Sequence, residues 1–280
     1  AVNSRFSSGI RSPLDQAIVD RCTDDRLQQW TKLDEIPFDF QRRSVSVLAA
    51  SNGQRLLIAK GAPEVILARS SAVDLGDGNS KPLDDANRAR LEHLNNEQAA
   101  LGNRLLAVAW KPMPADSHEL SPDDERGLIV TGYCVFFDPP KKSAAVAITR
   151  LAAAGVRVKV VSGDHEAVVR HVADALQMSG RKLLTGAEIT ELTDGALAAR
   201  VEDVDLFARV SPDQKTRIIR ALQLRGHTVG FLGDGVNDAP AIHAAEIGLS
   251  VEGATDVARS AADMILLAQD LGVVADGVEE

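Results

Sequence analysis

The fold is indicated most strongly by the stretch Thr228-Val229-Gly230-Phe231-Leu232-Gly233-Asp234-Gly235-Val236-Asn237-Asp238-Ala239-Pro240. Its apolar, β-branched start predicts a short strand, the Gly-Asp-Gly turn ends that strand, and the residues after it predict a helix. Two units of the same kind precede it, one around Ser162-Gly163-Asp164 and one that leads into a helix capped by Ser211 and Pro212. Such alternation predicts an α/β domain with a parallel sheet covered by helices on both faces.

The first half of the chain has a different pattern. Alternating apolar residues at 45–48 and 55–59 predict two strands, and Asn52-Gly53 between them predicts a hairpin turn. We therefore expect an α+β domain with a mainly antiparallel sheet over residues 1–131 and the parallel α/β domain over residues 132–280.

Composition excludes several classes of protein. The chain has 280 residues, 45% of them hydrophobic, which is ordinary for a globular protein and argues against disorder. A net charge of −9 argues against a nucleic-acid binder. Cys22 and Cys134 are far apart and form no CxxC pair, so neither a zinc site nor a disulfide framework is indicated, and we expect a reducing, cytoplasmic compartment. No run approaches the roughly 20 apolar residues of a membrane helix, and no secretory signal is evident, so we expect a soluble chain.

Carboxylates follow the predicted strands of the second half. The carboxyl ends of parallel strands share one edge of a sheet, so we expect Asp164, Asp234 and Asp238 to converge there. Clustered carboxylates repel one another, and a hard cation such as Mg²⁺ removes that cost. The neighbouring glycines, the Ser162 hydroxyl and the Lys215 ammonium suit a phosphate. The alternative reading of each residue alone is turn chemistry for the Gly-Asp pairs and a solvated helix position for Lys215.

Three stretches of the second half together resemble one enzyme family. They are Ser162-Gly163-Asp164, Phe207-Ala208-Arg209-Val210-Ser211-Pro212-Asp213-Gln214-Lys215 and Gly233-Asp234-Gly235-Val236-Asn237-Asp238-Ala239-Pro240. They are similar to the phosphorylation domain of P-type cation-transporting ATPases, members of the haloacid dehalogenase superfamily. Asp138-Pro139-Pro140-Lys141 resembles the DPPR element of that domain with Lys in place of Arg, and Ser162 replaces the usual Thr. The resemblance implies a Rossmann-like parallel sheet of the haloacid dehalogenase type.

The first half resembles the nucleotide-binding domain of the same family. Lys60-Gly61-Ala62-Pro63-Glu64 matches its KGAPE element, and the segment Pro37-Phe38-Asp39-Phe40-Gln41-Arg42-Arg43-Ser44-Val45-Ser46-Val47 matches the one whose first Phe stacks on adenine. An aromatic face flanked by cations suits a base with its triphosphate. The alternative is that Phe38 belongs to the core and Arg43 to the surface. The nucleotide-binding residues that the resemblance implies in this half are Asp15, Phe38, Arg43, Lys60, Gly61 and Arg104.

The resemblance also implies roles for residues of the second half. Asp234, helped by Asp238, would hold Mg²⁺, and Arg209 would contact nucleotide or phosphate. Asp164 would help to close the two domains around the nucleotide. The residues implied to neutralise and orient the transferring phosphoryl group are Lys215, Ser162, Gly163 and Asn237.

One element of the family pattern is absent. The nucleophilic aspartate of these enzymes stands in a DKTGT sequence, and no such sequence occurs in this chain. Asp138 does not replace it, because Pro139 and Pro140 lack the backbone N–H donors that would hold a phosphoryl group. We therefore expect an excised fragment that begins after the phosphorylated strand, lacks the nucleophile strand, binds ATP weakly and forms no phosphoenzyme.

Two details are most similar to the magnesium-transporting branch of the family. They are Ile36-Pro37-Phe38-Asp39-Phe40 and Gly248-Leu249-Ser250-Val251-Glu252-Gly253-Ala254-Thr255-Asp256-Val257-Ala258. The expected parent protein couples ATP hydrolysis to cation transport, with ATP and Mg²⁺ as cofactors and with membrane and actuator domains of its own chain as partners. The expected location is the cytoplasmic face of the cell membrane. Two alternatives stay open, a soluble phosphatase of the haloacid dehalogenase type whose first domain is a substrate cap, and a non-catalytic nucleotide-binding regulator.

Overall fold

The computed structural model describes residues 1–8, 13–22, 25–40, 42–76, 79–178, 180–268 and 270–280. Gln41 of the matched aromatic segment lies outside the described residues. The chain forms two compact units, Ala1–Ala99 with Asn103–Phe137, and Ala100–Gly102 with Asp138–Glu280. The predicted boundary after residue 131 falls inside a strand, because that strand pairs with its neighbour as far as Phe137.

Seven strands of the first unit lie within its described residues, together with four α-helices. Its helices are α1 (Val2–Phe6), α2 (Pro13–Asp20), α3 (Pro63–Arg69) and α4 (Asp85–Ala100), with 3-10 turns at Asp25–Gln29 and Pro122–Asp124. Its strands are β1 (Thr31–Asp39), β2 (Ser44–Ser51), β3 (Gln54–Gly61), β4 (Ser70–Asp74), β5 (Ser80–Pro82), β6 (Asn103–Met113) and β7 (Leu128–Phe137).

The strands of the first unit form one sheet. Their order is β1-β2-β3-β6-β7-β4-β5, and every neighbouring pair is antiparallel except β4 with β7. The predicted hairpin is confirmed, since β2 and β3 pair from Ser44↔Gly61 to Ser51↔Gln54. Its turn residues Asn52 and Gly53 have φ of 49° and 78°, the left-handed values that a two-residue hairpin needs. The predicted mainly antiparallel sheet is therefore present.

The second unit alternates short parallel strands with helices. Its strands are β8 (Val160–Val161), β9 (Lys182–Thr185), β10 (Val204–Ala208), β11 (Gly230–Leu232), β12 (Ile247–Val251) and β13 (Met264–Leu266). Its helices are α5 (Lys142–Ala153), α6 (Glu166–Ala175), α7 (Gly186–Glu191), α8 (Asp194–Val201), α9 (Pro212–Leu224), α10 (Ala239–Ala244), α11 (Asp256–Ala261) and α12 (Gly272–Glu279), with a 3-10 turn at Val236–Asp238.

The parallel strands form two sheets, where the sequence predicts one. The first has the order β8-β10-β9 and the second β11-β12-β13, and all four pairings are parallel. Among the described strands, β8 pairs only with β10 and β11 only with β12. The sheet is divided because no described strand joins the second edge of β8 to that of β11.

Local signals explain how the second unit places its polar turns. Ser211 caps α9 by accepting a hydrogen bond from the backbone N–H of Gln214, and Pro212 occupies the first helical turn, as predicted. Ile218 and Ile219 on α9 are almost fully buried and belong to the apolar interior, as does Phe207 on β10. This packing fixes α9, and with it the backbone of Lys215.

Candidate functional site

A tight turn joins β1 to β2 and displays several predicted site residues. The Asp39 backbone carbonyl accepts from Arg43 N at 2.6 Å, and Asp39 Oδ1 accepts from Arg42 N at 2.7 Å. Arg43 has a φ of 50°, a left-handed conformation that is unfavourable for an arginine unless its surroundings impose it. The Arg43 carbonyl accepts from Ala62 N at 3.0 Å, so the turn is held against the end of β3.

Gly61 permits this close approach. A Cβ atom at this position would lie 2.5 Å from the Arg43 carbonyl oxygen and 2.9 Å from the Ser44 Cα. Only a residue without a side chain fits between these backbones. Gly61 therefore shapes the site by letting the β1–β2 turn pack on β3.

Two aromatic rings stand exposed beside the turn. Phe38 is 53% exposed and Phe40 is 44% exposed. Their ring centroids lie 5.2 Å apart at an interplanar angle of 88°, an edge-to-face arrangement. The alternative that Phe38 is a core residue is wrong. Phe40 was missed by the sequence interpretation, although its spacing of two residues from Phe38 was a usable signal.

Lys60 is buried with its ammonium group partnered. Its Nζ donates to Ser4 Oγ at 2.9 Å and contacts the Asp15 carboxylate. Burial lowers the pKa of Lys60 to about 8, even with that carboxylate beside it. The structure thus brings together Lys60 and Asp15, which stand 45 residues apart in the sequence.

The two predicted arginines of this unit lie on different elements. Arg43 Nη1 forms an ion pair with Glu64 Oε1 at 2.7 Å, and both side chains are partly exposed. Arg104 is half-buried on β6, opposite Phe136 of β7. The residue of β6 opposite Lys60 is Val108, so Arg104 lies roughly 13 Å along the strand from that point. The cations are therefore spread along the sheet.

A second polar site lies in the other unit, around Asp238. Lys215 Nζ donates to Asp238 Oδ1 at 2.6 Å, and both side chains are largely buried. Asp238 Oδ2 accepts from the backbone N–H groups of Asp234 and Gly235 at 3.3 and 3.1 Å. A Cβ at Gly233 would lie 2.5 Å from the Asp238 Cβ, so the Gly-Asp-Gly turn wraps closely around this carboxylate. Both oxygens of Asp238 are engaged in building the turn.

Asp234 is exposed, and its backbone is fixed by Ser250 and Thr255, to which the sequence interpretation gave no role at the site. The Asp234 carbonyl accepts from Thr255 N at 3.0 Å and from Thr255 Oγ1 at 3.3 Å. Ser250 Oγ donates to the Gly233 carbonyl at 2.9 Å. Thr255 also caps α11, and a threonine before Asp256 at a helix start was the signal that pointed to it.

Asp164, Asp234 and Asp238 do not form the expected metal-binding cluster. In the described part of the chain, no group of three His, Cys, Asp or Glu side chains could hold a metal ion. Asp238 is occupied by Lys215 and by the turn, and Asp164 Oδ2 accepts from Ser162 Oγ at 2.8 Å. The assignment of Asp234 and Asp238 to Mg²⁺ stays a prediction.

Backbone hydrogen bonds join the turn after β8 to the end of β10. Ser162 N donates to the Phe207 carbonyl at 2.9 Å, Arg209 N to the Asp164 carbonyl at 2.9 Å, and Val210 N to the Ser162 carbonyl at 3.1 Å. The predicted residues Ser162, Asp164 and Arg209 therefore lie together. Gly163 is exposed between them, and Asn237 is half-buried in the Val236–Asp238 turn.

Arg209 has a left-handed backbone, with a φ of 54°. Its Nε lies 3.3 Å from Glu166 Oε1. A Cβ at Gly186 would collide with the Arg209 carbonyl oxygen, so these two backbones are in close contact. Gln214 Nε2 donates to the Gly186 carbonyl at 2.7 Å, which ties the starts of α7 and α9 together beside Arg209.

Residues 8–143 match the family model described as "P-type ATPase, cytoplasmic domain N". The chain is 40% identical over 284 residues to "Magnesium-transporting ATPase, P-type 1" of Escherichia coli (strain K12), which covers 100% of this chain and 32% of the relative. The protein of the same name from Salmonella typhimurium (strain 14028s / SGSC 2262) is 41% identical over 284 residues, covering 100% of this chain and 31% of the relative. The chain belongs to the P-type ATPase family and contains its cytoplasmic domain N.

More distant P-type ATPases align as well. "Calcium-transporting ATPase" of Bacillus subtilis (strain 168) is 34% identical over 252 residues, which cover 89% of this chain and 28% of the relative. The chain thus spans about a third of the length of the first P-type ATPases it matches. The domain N match contains every predicted nucleotide-binding residue of the first unit, and the magnesium-transporting relatives align with the second unit too. Within the described ranges, no helix is both long and apolar enough to cross a membrane.

Proposed function

We propose that this chain is the ATP-binding and phosphorylation region of an ATP-driven cation transporter, with magnesium as the transported ion. One observation carries the ATP-binding part of the proposal. The β1–β2 turn, with its exposed phenylalanines and Arg43, is built directly onto the Gly61–Ala62 backbone that follows the buried Lys60. An aromatic face and cations on one scaffold are what a purine base with a triphosphate requires.

The residues of this first unit divide the nucleotide between them. Phe38 stacks on adenine, because its ring is more than half exposed. Lys60 and Asp15 act as a pair beside it, and Arg43 and Arg104 offer guanidinium groups to phosphate oxygens. Gly61 contributes by its missing side chain, as the backbone contact with Arg43 requires.

The second unit fits Mg²⁺ and a phosphoryl group by its donor set. Asp234 offers an exposed carboxylate on a backbone fixed by Thr255. Asp238 would add a second carboxylate by exchanging its contact with Lys215 for the ion, so the candidate ligands are oxygens, as Mg²⁺ prefers. The bound ion would neutralise phosphate charge. Lys215 and the Asn237 amide then orient the phosphoryl group, together with Ser162 and Gly163 of the turn after β8. Arg209 adds a guanidinium group beside that turn.

Among the described strands, β8 and β11 each have one unpaired edge, and these edges support the proposal that a phosphorylated strand of the parent protein belongs between them. Parallel strands are normally buried on both sides within a sheet, yet Val160 and Val161 of β8 are only partly buried and Leu232 of β11 is 40% exposed. The Ser162-Gly163-Asp164 and Gly233-Asp234-Gly235 turns follow these same two strands. A further parallel strand from the parent protein, placed between β8 and β11 and carrying the aspartate of DKTGT, would join the two sheets into one Rossmann-like sheet of the haloacid dehalogenase type.

In the proposed function, the chain is part of a longer protein at the cytoplasmic face of a membrane. Its partners are then the membrane and actuator domains of that protein. The names of the relatives that align over the whole chain support magnesium as the ion.

The test combines binding with acid-stable labelling. Titration calorimetry should show ATP binding to the 280-residue chain and about 5- to 150-fold weaker binding to Phe38→Ala, since an aromatic stack on a base contributes about 1–3 kcal/mol. Incubation with γ-labelled ATP and acid quench should leave no label on the protein. Retained label refutes the assignment of the nucleophile to a missing strand. Steady hydrolysis of a small phosphate ester by the chain alone identifies a phosphatase instead.

A further inference from the structure

The first unit contains a buried carboxylate that the proposed nucleotide site does not use directly. Glu125, just after the Pro122–Asp124 turn, is 1% exposed. Its Oε1 accepts from Arg42 Nη2 and from Ser46 Oγ, both at 2.7 Å. Its Oε2 accepts from Arg69 Nη1. Removing a carboxylate from water is costly, and here charge-assisted hydrogen bonds from two arginines offset that cost.

Arg42 connects Glu125 to the β1–β2 turn, because its guanidinium group contacts both sides of that turn. Nη1 lies 3.4 Å from the Pro37 carbonyl oxygen, on the β1 side of the turn. Nη2 lies 3.4 Å from the Ser44 carbonyl oxygen, on the β2 side, in addition to its bond to Glu125. Arg42 therefore brackets the segment that carries Phe38 and Arg43.

Glu125 lies on the face of the sheet opposite to Lys60. Side chains of neighbouring residues in a strand point to opposite faces. Lys60 is paired with Val45 across the β2–β3 ladder, whereas Glu125 contacts the next residue along β2, Ser46. Its carboxylate is thus separated by the sheet from the Lys60 ammonium group, and any effect on nucleotide passes through the turn.

We propose that Glu125 is a positioning residue for the nucleotide site. Through Arg42 it holds the β1–β2 turn in the conformation that keeps Arg43 left-handed and presents the rings of Phe38 and Phe40. The inference rests on the proposed ATP binding. If Glu125 only stabilised the fold, removing either of its two arginines should change ATP affinity to the same extent, because each arginine donates to one oxygen of the same carboxylate.

Arg42 and Arg69 provide the matched comparison. Arg42 lies in the turn, whereas Arg69 ends α3 and also donates to Ser44 Oγ at 2.9 Å. Arg42→Met and Arg69→Met each leave Glu125 one arginine and keep an apolar stem of similar length. We expect Glu125→Gln and Arg42→Met to weaken ATP binding by calorimetry about tenfold, a loss typical of one charge-assisted hydrogen bond. Arg69→Met should stay within about twofold of the wild type.

Amide hydrogen exchange supplies a readout without nucleotide. The Arg42 and Arg43 amides donate to Asp39 within the turn, so we expect their exchange to be faster in Glu125→Gln and Arg42→Met but not in Arg69→Met. A double variant Glu125→Gln/Arg42→Met should bind no more weakly than either single variant, as coupled residues do.

The outcomes separate the two proposals. A wild-type chain that does not bind ATP overturns the proposed function. A wild-type chain that binds ATP, with Glu125→Gln bound equally tightly or Arg69→Met weakened as much as Arg42→Met, overturns the positioning role. Where Glu125→Gln fails to fold, the comparison of Arg42→Met with Arg69→Met decides the question alone.

Discussion

The lowered pKa of Lys60 predicts that ATP affinity changes between pH 7 and pH 9, below the pH at which a lysine ordinarily loses its proton. Burial lowers the pKa of this amine to about 8, so in the unliganded protein it is about nine-tenths protonated at pH 7 and about one-tenth protonated at pH 9. If only the protonated amine supports nucleotide binding, the apparent Kd rises in inverse proportion to the protonated fraction. ATP affinity should therefore fall about tenfold between pH 7 and pH 9.

Titration calorimetry at half-unit steps of pH measures this effect, and Lys60→Arg is the matched control. A guanidinium group keeps its charge throughout this range, so the variant should bind ATP with an almost constant Kd. Lys60→Met should bind weakly at pH 7 and show no loss on going to pH 9. A wild-type Kd that stays flat from pH 7 to pH 9, or a slope that persists in Lys60→Arg, refutes the reasoning.

The same shift has a consequence for stability. The folded chain holds the Lys60 proton less tightly than the unfolded chain, whose lysines titrate near 10.5, so it binds fewer protons between about pH 8 and that value. The stability contribution of Lys60 is then least favourable below pH 8 and improves as pH rises through this window. Urea unfolding of the wild type against Lys60→Met, followed from pH 7 to pH 10, should show the difference in free energy of unfolding moving in favour of the wild type. A difference that moves the other way contradicts the lowered pKa.

Three further substitutions test how the sites are built. Lys215→Met leaves Asp238 buried without its cation and should cost about 3–5 kcal/mol in urea unfolding, whereas a cost under about 1 kcal/mol would mean that the pair is not formed. Gly61→Ala places a Cβ 2.5 Å from the Arg43 carbonyl and should cost about 1–3 kcal/mol while weakening ATP binding, and unchanged binding would show that the turn does not need this contact. Thr255→Ala removes the α11 cap and a donor to the Asp234 carbonyl and should lower thermal stability by about 1 kcal/mol, with Thr255→Ser close to the wild type; equal losses in both would assign the effect to the methyl group.

The features that sequence could predict are the ones that depend on neighbouring residues. The β2–β3 hairpin follows from alternation and from Asn52-Gly53, and the start of α9 follows from Ser211 and Pro212. Strand β12, Ile247–Val251, follows from a short apolar run that lies between polar residues. In each case the signal lies within a few residues of the structure that it specifies.

Features that depend on distant partners escaped prediction. Glu125 is one of several acids in a stretch rich in Pro, Asp and Ser, and its burial depends on arginines 83 and 56 residues away in the sequence. The boundary of the first unit was displaced because β7 continues its pairing with β6 to Phe137. The pairing of Lys215 with Asp238 joins residues 23 positions apart on separate elements, so helical spacing carries no trace of it.

The predicted site residues fall into a buried group and an exposed group, which have different roles. Gly61, at the end of β3, and Asp238, in the Val236–Asp238 turn, are buried where close backbone contact or a buried ion pair fixes the chain. Phe38, beside the β1–β2 turn, and Asp234, beside Asp238, are exposed, so their side chains remain available to a ligand. Substituting a buried member should therefore lower stability and binding together, whereas substituting an exposed member should lower binding with little change in the free energy of unfolding. Glu125 belongs with the buried group although it lies outside the family motifs quoted above, because a turn that positions a ligand needs its anchors as much as its contacts.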